Sequence, residues 1–321
     1  MKPVLALAAT FLVLGCTHPA IALVPQLGDG GDGGFMTSDA GAGDAGLACC
    51  AQWGNPRVAG PLGDAELVEL SGLVASRSQP GVLYAHNDSG DSARFFALST
   101  TGAALARFTL SGATARDWED IALGPCDAGA CVWLGDIGDN AFVRTDYAVF
   151  RVVEPQVPPD GGTVDVAWER FAYEFPDGEK HNAESLFAHP VTGRLYLVTK
   201  ENLGPSQVYR FPEPLNAQGV NVLDYVTTLS VPTAVDGRLT AADVSPCGDS
   251  ILLRLYNRLV ELKLPAGETN FERIFGATPV DVPVANEPQG EAVAYSADGR
   301  TFFTASEKLI DPVQLNESRC R

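Results

Sequence analysis

The sequence predicts an all-β chain folded as a five-bladed β-propeller. Three observations predict it: five similar units in tandem, a turn at the same place in each, and no long helical periodicity. The units open at Ser71-Gly72-Leu73-Val74, Glu119-Asp120-Ile121-Ala122, Glu184-Ser185-Leu186-Phe187, Thr240-Ala241-Ala242-Asp243 and Glu291-Ala292-Val293-Ala294. Successive openings are about 55 residues apart on average. Turn residues follow each opening: Gln79-Pro80-Gly81, Pro125 to Gly129, Pro190 to Gly193, Pro246-Cys247-Gly248 and Ala297-Asp298-Gly299. A second apolar run comes next (Val82 to Ala85, Val132 to Leu134, Leu195 to Val198, Ile251 to Leu253, Phe302 to Ala305). A third follows, and in most units a fourth, such as Leu105 to Leu110 and Arg170 to Phe175. Four short strands separated by turns make one blade. The last unit lacks an outer strand, and the segment near Arg57 and Val58 is placed to supply it, closing the ring without exposed edges. The alternatives are a six-bladed propeller and a β-sandwich; a sandwich has no need of five matched units.

The chain starts as a targeting signal. Lys2 gives the positive start, and Val4 to Leu14 give an apolar run too short to span a bilayer. The run ends in Val13-Leu14-Gly15-Cys16, the shape of a bacterial lipobox in which the Cys16 sulfur takes the lipid. Ala20-Ile21-Ala22 also makes a small-x-small cleavage site, so secretion without an anchor is the alternative. Residues 1–22 are therefore read as the signal. Residues 23–48, rich in Gly, Asp and Ala with Asp29, Asp32, Asp39 and Asp44, are read as a disordered tether, having little apolar surface to offset chain entropy. Residues 49–321 are left for the propeller, long enough for one large domain. The chain is expected in the cell envelope, held to a membrane only by lipid, and as a monomer.

The formal net charge of −18 sits mostly on the folded body and argues against nucleic acid and anionic lipid surfaces as partners. It suits divalent cations, and solubility alone is the simpler account of it. Without Cys16 six cysteines remain, which in an exported chain implies disulfides. Cys126 and Cys131 flank the turn at Asp127 to Ala130 and are placed to close a hairpin. Cys320 lies at the end of the body, and Cys49 and Cys50 at its start. A bridge between those ends would lock a circular fold, but six cysteines allow fifteen pairings. No Cys/His cluster has zinc spacing.

In a propeller the first strand of each blade lines the central channel, so equivalent residues form a ring. Here the ring reads Ser71, Glu119, Glu184, Thr240, Glu291. Three carboxylates at one axis repel and raise each other's pKa. A calcium ion, which accepts six to eight oxygens in flexible geometry, resolves this. The alternative is a set of polar hub residues bonded to backbone. The second strand runs back to the same face, where Asp88, Asp136, Lys200, Tyr256 and Glu307 fall sixteen or seventeen residues after the ring positions. With Arg254 and Lys308 nearby, this wider ring reads as a mouth for a small anionic substrate, with Asp88 and Asp136 as candidate catalytic groups. Asn87-Asp88-Ser89-Gly90-Asp91 is also an ordinary turn sequence.

The stretches Leu70-Ser71-Gly72-Leu73, Trp118-Glu119, Asn182-Ala183-Glu184-Ser185, Leu239-Thr240 and Gln289-Gly290-Glu291 resemble, in blade order and spacing, the calcium-activated nucleotidases, or apyrases. The resemblance implies a five-bladed propeller with one axial calcium held by one residue per blade; Thr240 stands where that family has Ser. It departs at the mouth. Asn87 to Asp91 lacks the family's arginine, and Asp139 follows Gly138 where the family has a lysine. The stretches His86 to Asp91, Asp117 to Ala122 and Gly135 to Asn140 also resemble exported bacterial propellers of unassigned activity.

Two functions are therefore expected to compete. One is a calcium-dependent phosphohydrolase acting on esters or anhydrides, with Lys200, Arg254, Tyr256, Glu307 and Lys308 holding substrate. The other is a non-catalytic surface module with calcium as a structural hub ion. No Gly-x-Ser-x-Gly, P-loop or dinucleotide fingerprint is present.

Overall fold

A computed structural model describes residues 50–202, 204–229, 231, 238–307 and 312–321. The signal, Cys16, the tether, Cys49 and Lys308 lie outside the described residues. Among those that are described, no helix is long and apolar enough to cross a membrane.

The body is a propeller of five sheets. Strand β1 (Arg57–Pro61) precedes the first blade, which is β2 (Leu70–Ala75), β3 (Val82–Asn87), β4 (Arg94–Ser99) and β5 (Ala104–Thr109). Blade 2 is β6 (Trp118–Cys126), β7 (Gly129–Asp136), β8 (Ala148–Val153) and, after β9 (Thr163–Asp165), β10 (Glu169–Glu174). Blade 3 is β11 (Ala183–Ala188), β12 (Leu195–Thr199), β13 (Gln207–Arg210) and, after β14 (Val220–Val222), β15 (Asp224–Thr228). Blade 4 is β16 (Leu239–Val244), β17 (Ser250–Leu255), β18 (Arg258–Lys263) and β19 (Val280–Val282). Blade 5 is β20 (Gly290–Tyr295), β21 (Thr301–Ser306) and β22 (Gln314–Arg319), completed by β1.

The closing strand is the one the sequence predicts. Arg57 pairs with Glu317 and Val58 with Asn316, so the N-terminal strand becomes the outer edge of the last blade. Next to this seam, Cys50 is bonded to Cys320 across 270 residues, with Trp53 bridging to Cys320 in the backbone. In the chain-entropy picture a closure of that length stabilises by up to about 5 kcal/mol. Cys126–Cys131 closes the β6–β7 hairpin, and Cys247 is also disulfide-bonded.

Burial falls from the axis outward, as the sequence pattern requires. The first strands β2, β11, β16 and β20 are buried at every residue, because a neighbouring blade covers each face. Small residues such as Ala183, Ala241, Ala242, Ala292 and Ala294 suit that crowding. The outer strands β5 and β10 alternate between buried and open positions. Two short strands go beyond the four-strand repeat. The connection inside blade 2 adds β9 parallel to β5 of blade 1, and that inside blade 3 adds β14 parallel to β10 of blade 2. Each straps a blade to the one before it and covers an edge.

Candidate metal centre

Every blade breaks its inner register at the same point. In blade 2 Trp118 faces Asp136 and Asp120 faces Gly135, leaving Glu119 as the extra residue. Glu184, Thr240 and Glu291 are the extra residues of blades 3, 4 and 5, and in blade 1 Ser71 and Gly72 stand against the single residue between Asn87 and Ala85. A bulge re-aims the side chain it carries. Five bulges at one level turn Ser71, Glu119, Glu184, Thr240 and Glu291, all buried, out of their ladders at the start of the channel-lining strands.

The five positions are not chemically equivalent. Ser71 Oγ donates to the Glu119 carbonyl across 2.5 Å, and Thr240 Oγ1 donates to the Gly290 carbonyl across 2.8 Å. Each hydroxyl thus fastens its blade to the next one. Glu184 Oε1 lies 2.8 Å from Lys200 Nζ and accepts the Asn182 amide at 3.1 Å. Glu291 Oε1 accepts the Gln289 amide at 3.1 Å, while its Oε2 is buried without a partner. Burial, the neighbouring Glu184 and other carboxylates push the Glu291 carboxyl up to about 9 against the pull of Lys200. Glu119 is 3% exposed and, among the described residues, no donor reaches its carboxylate. Burial first, then Glu184, Asp88 and Asp117, hold its carboxyl well above the usual range.

Among the described residues, one group of carboxylates comes close enough to share an ion. Ligand atoms of Asp88, Asp117 and Glu119 all lie within 4.8 Å of one another, a span that one ion with oxygen ligands near 2.4 Å can bridge. Asp88 follows β3, and Asp117 immediately precedes β6. Burial and nearby negative charge push Asp88 up to about 7, against the Ser89 amide that bonds its Oδ1. Burial likewise lifts Asp117 to about 6, although Arg144 opposes it. Gly138 forms the floor: a Cβ there would stand 2.1 Å from Glu119 Oε1 and 2.6 Å from Asp117 Oδ2. Only glycine lets backbone approach two carboxylates so closely.

Asp117 is the residue that sequence reasoning missed among the site candidates. Its signal was available, since residues two apart on an extended segment share a face and Asp117-Trp118-Glu119 is such a pair. What fixes it is tertiary. Asp136 Oδ1 accepts the Asp117 amide at 3.0 Å and Oδ2 the Arg116 amide at 3.3 Å, and Arg144 pairs with Asp136 at 2.6 Å. Asp136 therefore sits at its expected strand end with its carboxylate engaged in holding Asp117. Burial raises the Asp136 carboxyl while Arg144 and the amides lower it.

The remaining mouth residues are brought to the same rim in different states. Lys200 lies under the ring of Tyr256, its Nζ 4.9 Å from the centroid, with the Arg238 guanidinium carbon 5.0 Å from it. Glu307 is half-buried and bonded by the Gln289 amide, which also reaches Glu291. Arg254 is 0% exposed, paired with Glu287 at 2.7 Å, and its Nη2 lies 1.5 Å from where a Cβ on Gly290 would be. It sits beneath the fifth-blade bulge, out of reach of a solvent-borne ligand.

No protein-family model matches the chain, and no curated protein matches it. Among solved structures it is similar to a Bacteroides uniformis protein described as a candidate 6-phosphogluconolactonase, at TM-score 0.37 and 15% identity. The match covers 76% of this chain and 65% of that one, so the chain spans less than two thirds of the neighbour's length.

Proposed function

We propose that the protein is a calcium-binding propeller with its ion at the open mouth of the channel, acting on phosphate esters or anhydrides outside the cytoplasm. The observation that carries this is the cluster of Asp88, Asp117 and Glu119 within 4.8 Å, one of them deeply buried and, among the described residues, without a donor. Oxygen donors of this kind suit a hard cation, and the flexible coordination of calcium suits ligands from separate blades better than the tight octahedron of magnesium. The likeness of the five bulge residues to the axial set of calcium-activated nucleotidases supports the same ion. Ser71 and Thr240 serve the site by fastening blades.

A calcium ion held by that cluster would supply Lewis acidity to a phosphoryl oxygen. The chain supplies the rest. Asp88 and Asp117 are half-buried, which leaves the cluster open to solvent on one side. Asp88 Oδ1 is held by the Ser89 amide, and Oδ2 is available to orient water or take a proton. Asp136 is a positioning residue through Asp117. Release of phosphate from a panel of nucleotides and sugar phosphates, with calcium and with chelator, tests the reading; Asp88→Asn should lower turnover at least 100-fold. No release from any substrate would leave the propeller as a binding module. That second reading is favoured by one observation, that the two cations expected to grip phosphate are paired internally, Lys200 with Glu184 and Arg254 with Glu287.

The anchor is part of the same proposal. Cys16, in its lipobox, would tether the propeller to the envelope by lipid, with residues 23–48 as spacer. Full-length Cys16→Ser should leave the detergent phase in a partitioning assay; unchanged partitioning refutes the anchor.

A further inference from the structure

We propose that Lys200 is a resident cation that removes Glu184 from the ligand set and confines a single divalent ion to the side of the channel formed by blades 1 and 2. The inference rests on the reading of Asp88, Asp117 and Glu119 as a cation site, and it says where in the ring the ion sits and why.

A symmetric ring would draw an ion to the axis, within reach of all three glutamates. This ring is not symmetric, because its carboxylates differ in what already satisfies them. Glu184, 2% exposed, has an ammonium at 2.8 Å and a side-chain amide at 3.1 Å on one oxygen. Glu291 has an amide on one oxygen and nothing on the other. Glu119, 3% exposed, has no donor among the described residues and instead has two further carboxylates beside it. Negative charge without a partner rises from blade 3, through blade 5, to the junction of blades 1 and 2.

Lys200 is held where it stands. It is 8% exposed, and the face of Tyr256 lies over its ammonium. Arg238 also lies over that ring, its guanidinium carbon 5.0 Å from the centroid. An ammonium in hydrogen-bond contact with Glu184 Oε1 stands where an ion coordinated by that oxygen would have to be. A dication brought to the axis would also meet that positive charge in a poorly solvated channel. The far side offers the reverse: three carboxylates and the Gly138 backbone in place of a side chain under Glu119 and Asp117, with the Arg144 guanidinium behind them already engaged by Asp136, Asp146 and the Gly138 carbonyl.

Two variants separate this arrangement from an axial ion. Asp117→Asn removes a ligand of the off-axis site that no axial set contains. Lys200→Met with Glu184→Gln removes the internal pair as a neutral unit, so neither partner is left buried and charged. Calcium binding to the purified full chain, by calorimetry and by the melting-temperature rise on adding calcium chloride, should weaken at least tenfold in Asp117→Asn. It should stay within about threefold of wild type in the double variant. Lys200→Met alone should bind calcium more tightly than wild type, since Glu184 is then unpaired. Melting without calcium checks that each variant folds. Loss of binding in the double variant, or retention in Asp117→Asn, overturns the inference. A wild-type chain that binds no calcium at millimolar concentration overturns the underlying cation site instead, and the two failures are distinct.

Discussion

The two ends of the central channel are built from the same five strands and have opposite chemistry. The end where the first strands begin carries Asp88, Asp117, Glu119, Glu184, Glu291 and Glu307, with Lys200 as the one ammonium among the described residues at the ring. The end where those strands finish is a cavity of about 320 Å³ lined by residues at the strand ends and turns of all five blades, among them Arg77, Leu123, Pro190, Pro246 and Ala297. There Arg77 spans the opening, donating to the Ser296 carbonyl at 3.1 Å and the Val244 carbonyl at 3.4 Å. Between the two ends, Asp120 accepts the Ile121, Leu186 and Ala242 amides of three blades, and Asp243 accepts those of Val244 and Tyr295. Buried charge at the middle and the far end is thus answered by amides and a guanidinium, and it holds the blades together. At the acidic end the Arg144 guanidinium answers Asp136, but among the described residues no donor reaches Glu119. Structure alone gives no reason to bury a carboxylate without a partner, and that contrast separates the functional end from the fastening.

The sharpest test is the sign of a stability change. Glu119→Gln should weaken calcium binding at least tenfold, worth about 1.4 kcal/mol or more, because it removes a ligand charge. Without calcium the same variant should melt at or above wild type, since it relieves an uncompensated buried carboxylate. Melting curves with calcium and with chelator would show the order of the two proteins reversing. A variant less stable in both conditions would place Glu119 with Asp120 as a purely structural carboxylate, and the contrast between the two ends would fail.

How much of this was legible in the sequence follows from the range of each interaction. The repeat, the closing strand at Arg57 and the hairpin disulfide are set by local pattern and spacing, and the sequence reading has them. The ring at Ser71, Glu119, Glu184, Thr240 and Glu291 was legible as a level in the fold; that each is the extra residue of a bulge was not, because a bulge depends on what the partner strand does. The places of Lys200 and Arg254 near the second-strand ends point to substrate clamps. Their partners, Glu184 and Glu287, lie on different turns of the chain, and nothing in the spacing distinguishes a free cation from a paired one. Asp117 depends on Asp136, Arg144 and Gly138 acting together, which only the folded loop displays.

At the opposite end, Arg77→Met should cost about 1–3 kcal/mol of stability by leaving two carbonyls and Asp243 without their cation, with calcium affinity unchanged. The loss should depend on pH. Burial pushes Asp243 up to about 6, and Arg77 is the charge that opposes this. Without it the folded-state pKa rises further. A carboxyl whose folded pKa is raised favours the folded state least once it must ionise, so the deficit should be small near pH 5 and grow toward pH 8. Asp120 stands as the like charge on the same side of the balance. Urea unfolding of wild type and variant across that range measures it, and a deficit independent of pH would detach Arg77 from Asp243.

The smallest effect concerns protons at the acidic end. Before calcium binds, Asp88 near 7 and Asp117 near 6 hold protons for part of the time at neutral pH, with burial as the main cause in both. A calcium ligand must be deprotonated, so binding has to displace those protons. The sign follows directly: the carboxyls are raised, protons compete with the ion, and apparent affinity falls as pH drops from about 8 to 6, by at most about tenfold per unit for each proton displaced. At pH 7 the release should be roughly half a proton or more per ion, since a group at its pKa is half protonated. Calorimetry in two buffers of different ionisation enthalpy reads that number from the difference in heat. The far end of the channel offers no such signal, because Arg77 and the backbone amides are in place before any ion arrives. Heats of binding identical in both buffers would mean that the cluster is already ionised and answered by something in the chain, and the acidic mouth would then be no different in kind from the fastened end.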